Sequence, residues 1–298
     1  MEEVEQVGLQ EPIVIGGRTH FVESTGRLVR IGDYSNVSEL EFVRCNLSGL
    51  NMSSGRYSHT KFVECTLDGA DLSFSHLDGA IFEHCSMKGC SINVSNLDKA
   101  VFYDCNLEGA TFTNSSFVFG RFVVSSLVET WFNKCHFEMT NFNQVEMLCC
   151  NFEGVIMRHV YFDRAISRGF VKISESTLYN VQLTQSRMVL KARDVEAQCL
   201  VVAYSDLHRT QCVDTVISES AFSYVIFDDC DLCNLDVFQS EFDHCSHFGG
   251  KMEDVCFDET KFSDGFSSIV PEVSVWSLVT QEGAGILAVN EEDDQEEE

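Results

Sequence analysis

From Phe42 to Phe162 every fifth residue is a large apolar side chain, in the order Phe42, Leu47, Met52, Tyr57, Phe62, Leu67, Leu72, Leu77, Phe82 and onward. Five matches neither the 3.6-residue period of a helix nor the two-residue period of a strand, so side chains returning to one interior at this spacing require a turn after each. Two residues before most of these positions sits a small side chain, such as Cys65, Ala70 or Ser75. The pattern therefore fills an interior twice in every five residues and turns a corner between fillings.

Taking every fourth position separates the pattern into four classes. One reads Phe42, Phe62, Phe82, Phe102, Phe122, Phe142, Phe162; the next reads Leu47, Leu67, Met87, Leu107, Leu127, Met147. The remaining two are mixed and begin at Met52 and Tyr57. Twenty residues thus form one coil of four sides. Gly49, Gly69, Gly89 and Gly109 recur at the same interval, with Gly169 and Gly249 in phase, as a corner of unusual backbone dihedrals would select. Stacked coils place equivalent residues ~4.8 Å apart in parallel ladders and bury like side chains in columns.

Stretches such as Cys65-Thr66-Leu67-Asp68-Gly69-Ala70-Asp71-Leu72 and Cys105-Asn106-Leu107-Glu108-Gly109-Ala110-Thr111-Phe112 resemble the A(D/N)LXX signature of the pentapeptide-repeat family, over residues 37 to 262. The resemblance implies an all-β fold, a right-handed quadrilateral parallel β-helix (a pentapeptide-repeat solenoid) with N- and C-terminal caps. That family includes DNA-mimicking topoisomerase-binding proteins and bacterial effectors, and some topoisomerase-binding members dimerise through a C-terminal module.

The organisation expected is an acidic disordered leader at 1–11, an N-terminal cap of short strands at 12–36, the solenoid at 37–265, a C-terminal cap or homodimer module at 266–290 and a disordered acidic tail at 291–298. About 11 coils at ladder spacing give a rod ~50 Å long. Pro12 and Pro271 flank the repeats, where a missing N–H interrupts no ladder. The rhythm is irregular at about 166–206. Ser167 stands where an apolar residue is due, Ile173, Leu178, Leu183 and Met188 run one residue late, and Leu207 is back in phase. A bulge near Arg168-Gly169 and a compensating irregularity within 193–202 are expected, or a short helical excursion over 191–202.

Composition excludes several functions. A net charge of −27 opposes direct nucleic-acid or membrane-surface binding and favours a basic protein partner or plain solubility. No apolar run approaches the ~20 residues of a membrane span, and the acidic start is no signal peptide, so a cytoplasmic setting is expected. Nine of the fourteen cysteines occupy the small inward slot and read as packing rather than disulfide or zinc chemistry. His244-Cys245-Ser246-His247 alternates faces, which opposes a shared metal sphere. Gly249-Gly250-Lys251 reads as a corner, and no Ser-His-acid motif stands in a usable context. No catalytic, cofactor or metal residues are assigned, and an enzyme is not expected.

Two outward groups remain. Residues 206–264 hold 14 acids and 3 bases, against 15 and 9 in 37–165. The first group, Asp228, Asp229, Asp231, Asp236, Glu241, Asp243, Glu253, Asp254, Asp258 and Glu259, is the candidate acidic interaction surface. The second, Val118, Phe119, Val123, Val124, Val128 and Trp131, puts apolar residues in outward slots and is the candidate apolar interface, covered by a partner chain, a second copy or the segment 189–202. The function expected is a non-enzymatic interaction scaffold, a DNA-mimic-like acidic rod binding a basic surface of a DNA-handling protein such as a type II topoisomerase. The alternative is a structural or effector-type adaptor acting through the apolar residues at 118–131.

Overall fold

The computed structural model describes residues 37–262 without a break, plus the backbone of the short strands Ile13–Ile15, Arg18–Val22, Leu28–Arg30 and Ser277–Leu278; at 208, 228, 229 and 246–254 the backbone alone is described. The first three strands pair antiparallel in a sheet of their own. The expectations for 1–11, for 291–298 and for a homodimer module at 266–290, apart from Ser277–Leu278, lie outside the described residues.

Residues 37–262 form a parallel β-solenoid of four sides, and no described residue is helical. Side one stacks Phe42 on Phe62, Phe82, Phe102, Phe122, Phe142 and Phe162 in strict twenty-residue register. Like side chains in one ladder repeat at the ladder rise, so their rings pack as offset parallel stacks: Phe62 and Phe82 lie 4.9 Å apart at 3°, Phe122 and Phe142 4.8 Å apart at 2°. From the fourth coil on, side three meets this column edge-on, with Phe102 and Phe112 at 6.2 Å and 85°. The interior is closed across the axis by aromatic edges on aromatic faces.

The small inward slot has a second role. Its side chain donates to the carbonyl of the apolar residue before the preceding corner, one coil back: Ser95 Oγ to Leu72 O (3.2 Å), Thr130 Oγ1 to Leu107 O (2.9 Å), Cys105 Sγ to Phe82 O (3.3 Å). A compact donor is favoured because it fills the slot and satisfies a buried acceptor together. Cysteine in this position is a packing residue with a weak hydrogen bond.

Most corners place a residue in the left-handed region. Gly49, Gly69, Gly89 and Gly109 take it at φ of +60° to +67°, and Arg44, His59 and Glu64 take it with side chains. The roughly 1–2 kcal/mol strain of a side chain there is offset by ladder bonds such as Arg44 N–H to Val63 O at 2.8 Å. Gly169 corrects the expectation drawn from its phase. It is not left-handed; a Cβ there would stand 2.5 Å from Leu148 Cδ1, so a side chain at 169 requires the Leu148 side chain to move.

The irregularity also differs from the expectation. Residues 187–198 are a strand, which removes the helical alternative for 191–202. Asn151 pairs with Lys172, a 21-residue step, whereas Lys172 pairs with Lys191, a step of 19. The extra residue between Ile166 and Lys172 is thus stacked directly on a shortened corner between Arg187 and Lys191. The compensation falls there and not within 193–202. It is hidden because Ala192 and Ala197 carry the apolar beat while Leu190, Val195 and Leu200 fill the small slots, an exchange of large and small.

Candidate functional site

Winding decides which outward residues are neighbours. Residues five apart in sequence lie on successive sides, whereas residues twenty apart lie ~4.8 Å apart on one side. Side four, with its two corners, carries Glu175, then Asp194 and Glu196, then Asp214 and Glu219, then Asp236, then Asp254, Asp258 and Glu259. No Lys or Arg interrupts these positions; Arg193 and Lys261 stand on the adjoining sides.

Amides from adjacent coils hold several of these carboxylates. Asn234 Nδ2 donates to Asp214 Oδ1 at 2.7 Å, Gln198 Nε2 to Glu219 Oε1 at 3.1 Å, and Gln239 Nε2 to Glu259 Oε2 at 2.8 Å. An amide fixes a carboxylate without neutralising it. Ion pairs instead mark the N-terminal coils, for example Lys88 with Glu108 at 2.7 Å and Lys61 with Glu41 and Glu83 at 3.5 and 3.4 Å. Among the described residues none joins Glu175, Asp194, Glu196, Asp214, Glu219 or Asp236.

A groove of about 650 Å³ opens at the N-terminal edge of this acidic side, lined by Glu138, Arg158, His159, Tyr179, Glu196 and Gln198 among others. His159 is fixed by Asn180 Nδ2 at 2.8 Å from its Nδ1 and by the edge of Tyr179, ring centres 5.7 Å apart.

The sequence-based acidic group is only partly brought together. Asp236, Asp254, Asp258 and Glu259 belong to side four, whereas Asp231 and Glu253 lie on side three, Glu241 and Asp243 on side one, and Asp228 and Asp229 follow side two. Glu175, Asp194, Glu196, Asp214 and Glu219 were missed. Counting acids by segment dilutes them, and Glu175 stacks on Asp194 through a step of nineteen rather than twenty, which only the register shows.

The apolar group does not form one interface. Val118 is on side four, Phe119 on the corner beyond it, Val123 and Val124 on side one and its corner, Val128 on side two and Trp131 on side three. Fourteen residues of this chain run most of the way round the rod, so adjacency in sequence scatters them. Phe119 and Trp131, each about half exposed, point in different directions.

Cys245 is buried and donates to Phe222 O, while His244 is exposed, stacks on Tyr224 at 4.9 Å and contacts Asp243. Among the described residues no three His, Cys, Asp or Glu side chains converge as metal ligands. Burial pushes the Cys90 and Cys135 thiols up to about 12, so they stay protonated and unreactive at neutral pH.

Fold and surface together define a four-sided parallel β-solenoid with a charged side. Residues 35–112 match the family model for the pentapeptide repeat region, and the same four-sided coil continues to 262. Similar solved structures include HetL, a pentapeptide repeat protein involved in heterocyst differentiation regulation from the cyanobacterium Nostoc sp. strain PCC 7120 (11% identity, 74% of this chain and 86% of that one, TM-score 0.27). They also include full-length QnrB1, a plasmid-mediated fluoroquinolone resistance protein (16%, 75% and 94%, 0.30), and Rfr23 from the cyanobacterium Cyanothece 51142 (16%, 38% and 83%, 0.27). No curated protein sequence matches the chain.

Proposed function

We propose that this chain is a non-enzymatic binding rod whose fourth side engages a basic protein surface, of the kind a DNA-handling protein such as a type II topoisomerase presents. The observation that carries the reading is the run of carboxylates from Glu175 to Glu259 on one side, without an intervening cation. Nine acids over five coils of ~4.8 Å each amount to about one charge per 2.7 Å of rod, the order of the one per ~1.7 Å of duplex DNA. A rigid ladder holds them in place before binding, which lowers the ordering cost of association. The alternative, a structural or effector-type adaptor acting through the apolar residues at 118–131, has less to support it, because those residues are spread over four sides of the coil.

The test separates position from net charge. Glu196→Lys, Asp214→Lys and Glu219→Lys together reverse side four; Asp231→Lys, Glu241→Lys and Asp243→Lys reverse as many charges on other sides. The side-four variant is expected to lose salt-dependent binding to a type II topoisomerase, and the inhibition of supercoiling that follows from it, while the control retains most of both. Equal losses would reduce the acidity to a net-charge effect. Absence of binding by the wild-type chain would remove the topoisomerase as partner.

A further inference from the structure

Cations are sparse on this acidic rod, and they are not spread evenly. Seven of the twenty Lys and Arg residues fall between 164 and 209, in a chain whose net charge is −27. Winding gathers five of them on one stretch of surface. Lys172 pairs with Lys191 in the ladder of side three, and Arg193 stands two residues beyond Lys191 on the same face. Arg168 and Arg209 precede that side in the coils of Lys172 and Gln211. All five are exposed. Between Glu153, which stacks on Ser174, and Asp231, which stacks on Gln211, side three carries no described carboxylate.

This arrangement has a cost. Like charges directly opposed in a ladder repel. The N-terminal coils avoid that by answering a cation from the next coil: Arg44 meets Glu64 at 3.8 Å, Lys61 meets Glu41 at 3.5 Å and Lys88 meets Glu108 at 2.7 Å. Close to the patch, Arg164 and Arg187 are answered in the same way by Asp163 and Asp206. Among the described residues no carboxylate forms an ion pair with Arg168, Lys172, Lys191, Arg193 or Arg209; Lys191 instead lies 5.6 Å over the Phe170 ring. Their counter-charge has to come from elsewhere.

We propose that this cationic stretch of side three is the docking surface for the acidic run from Glu291 to Glu298 of the same chain. Seven of those eight residues are Asp or Glu. The strand Ser277–Leu278 pairs with Asp258 and Thr260, four coils beyond Lys191, and the twelve residues 279–290 join it to the run. Four coils are ~19 Å along the axis, and twelve residues reach up to ~40 Å. Tethering also selects this occupant over a free acidic partner. A separate polyanion must approach against the net charge of the whole chain, whereas a segment on a short linker is held at an effective concentration of order millimolar. Neither the patch nor the run belongs to side four, so the docking stands apart from the partner proposed there.

The test treats the full chain at low ionic strength with a water-soluble carbodiimide, which joins a carboxylate to a lysine amine as an amide with loss of water, and maps the linked peptides by mass spectrometry. Lys261 is the comparison, because it is exposed at the C-terminal end of the rod and an undocked run meets it first. Docked, residues 291–298 should link to Lys172 and Lys191 about fivefold more than to Lys261, the worth of about two exposed ion pairs. The excess should vanish in about 1 M salt, where the screening length is ~3 Å. It should also vanish when Arg168→Glu, Arg193→Glu and Arg209→Glu are combined, which keeps both reporter lysines, with the far-UV spectrum as control for folding. Mixed isotope-labelled and unlabelled chains should show that the links form within one chain. Links that favour Lys261, an excess that survives the three reversals in folded protein, or links found between chains, with a second copy as the occupant, would each overturn the proposal.

Discussion

Phe122→Ala tests whether the stacked column is the main source of stability. Phe122 is fully buried, 4.8 Å from both Phe102 and Phe142 at 5° and 2°, and meets Phe132 edge-on at 5.9 Å. Truncating a buried Phe costs about 3–5 kcal/mol, and aromatic pairs contribute about 0.5–1.5 kcal/mol beyond area. Two stacks and an edge contact place Phe122→Ala at the upper end, about 4–5 kcal/mol. The void cannot relax inward, because ladders on all four sides hold the coil. A solenoid coil contacts only its neighbours, so loss of a middle coil should also uncouple the two ends and lower the urea m-value. Leu183→Ala, on the same side but beside the apolar void that runs along the axis between Phe152 and Phe257, is the internal comparison and should fall near the low end of the Leu→Ala range, about 2 kcal/mol. The measurement is urea unfolding followed by far-UV circular dichroism. A cost for Phe122→Ala below about 2 kcal/mol, or equal costs for Leu183→Ala and the fully enclosed Leu107→Ala, would refute the reasoning.

Buried thiols make the fold sensitive to alkali. Cys90, Cys135 and Cys212 are held at about 12 by desolvation, above the ordinary value of 9.0, so the unfolded chain releases these protons first and stability should fall as pH rises from about 9 towards 12. Replacing all three by Ser or Ala should flatten that slope in pH-dependent melts, and an unchanged slope would exclude these thiols as its cause. In native protein Cys149, the exposed cysteine, should react first with a disulfide reagent. Cys212 should react only on unfolding, since its accessible surface faces the axial void; labelling of Cys212 as fast as Cys149 in peptide maps would place it at the exterior instead.

The five-residue rhythm determined the architecture because every filling of the core reports the period directly. Phe42 to Phe162, the small slots and the glycine corner at 49, 69, 89 and 109 were all legible without a structure. The place where the chain regained its phase was not, because Ala192 and Ala197 carry the beat without being large and Leu190 and Leu200 are large without carrying it. Packing sees the sum of a coil's volumes, whereas a pattern search sees one position at a time.

The same limit governed the surface. The sequence determined that acids accumulate toward the C-terminal coils and that they point outward. Only the tertiary structure decided that Glu175, Asp194, Glu196, Asp214 and Glu219 share a side with Asp236 and Glu259, and that Val118 and Trp131 do not share one. An outward residue's neighbours lie one coil away, about twenty residues distant, and a slip of one residue at 166–191 changes which residues those are.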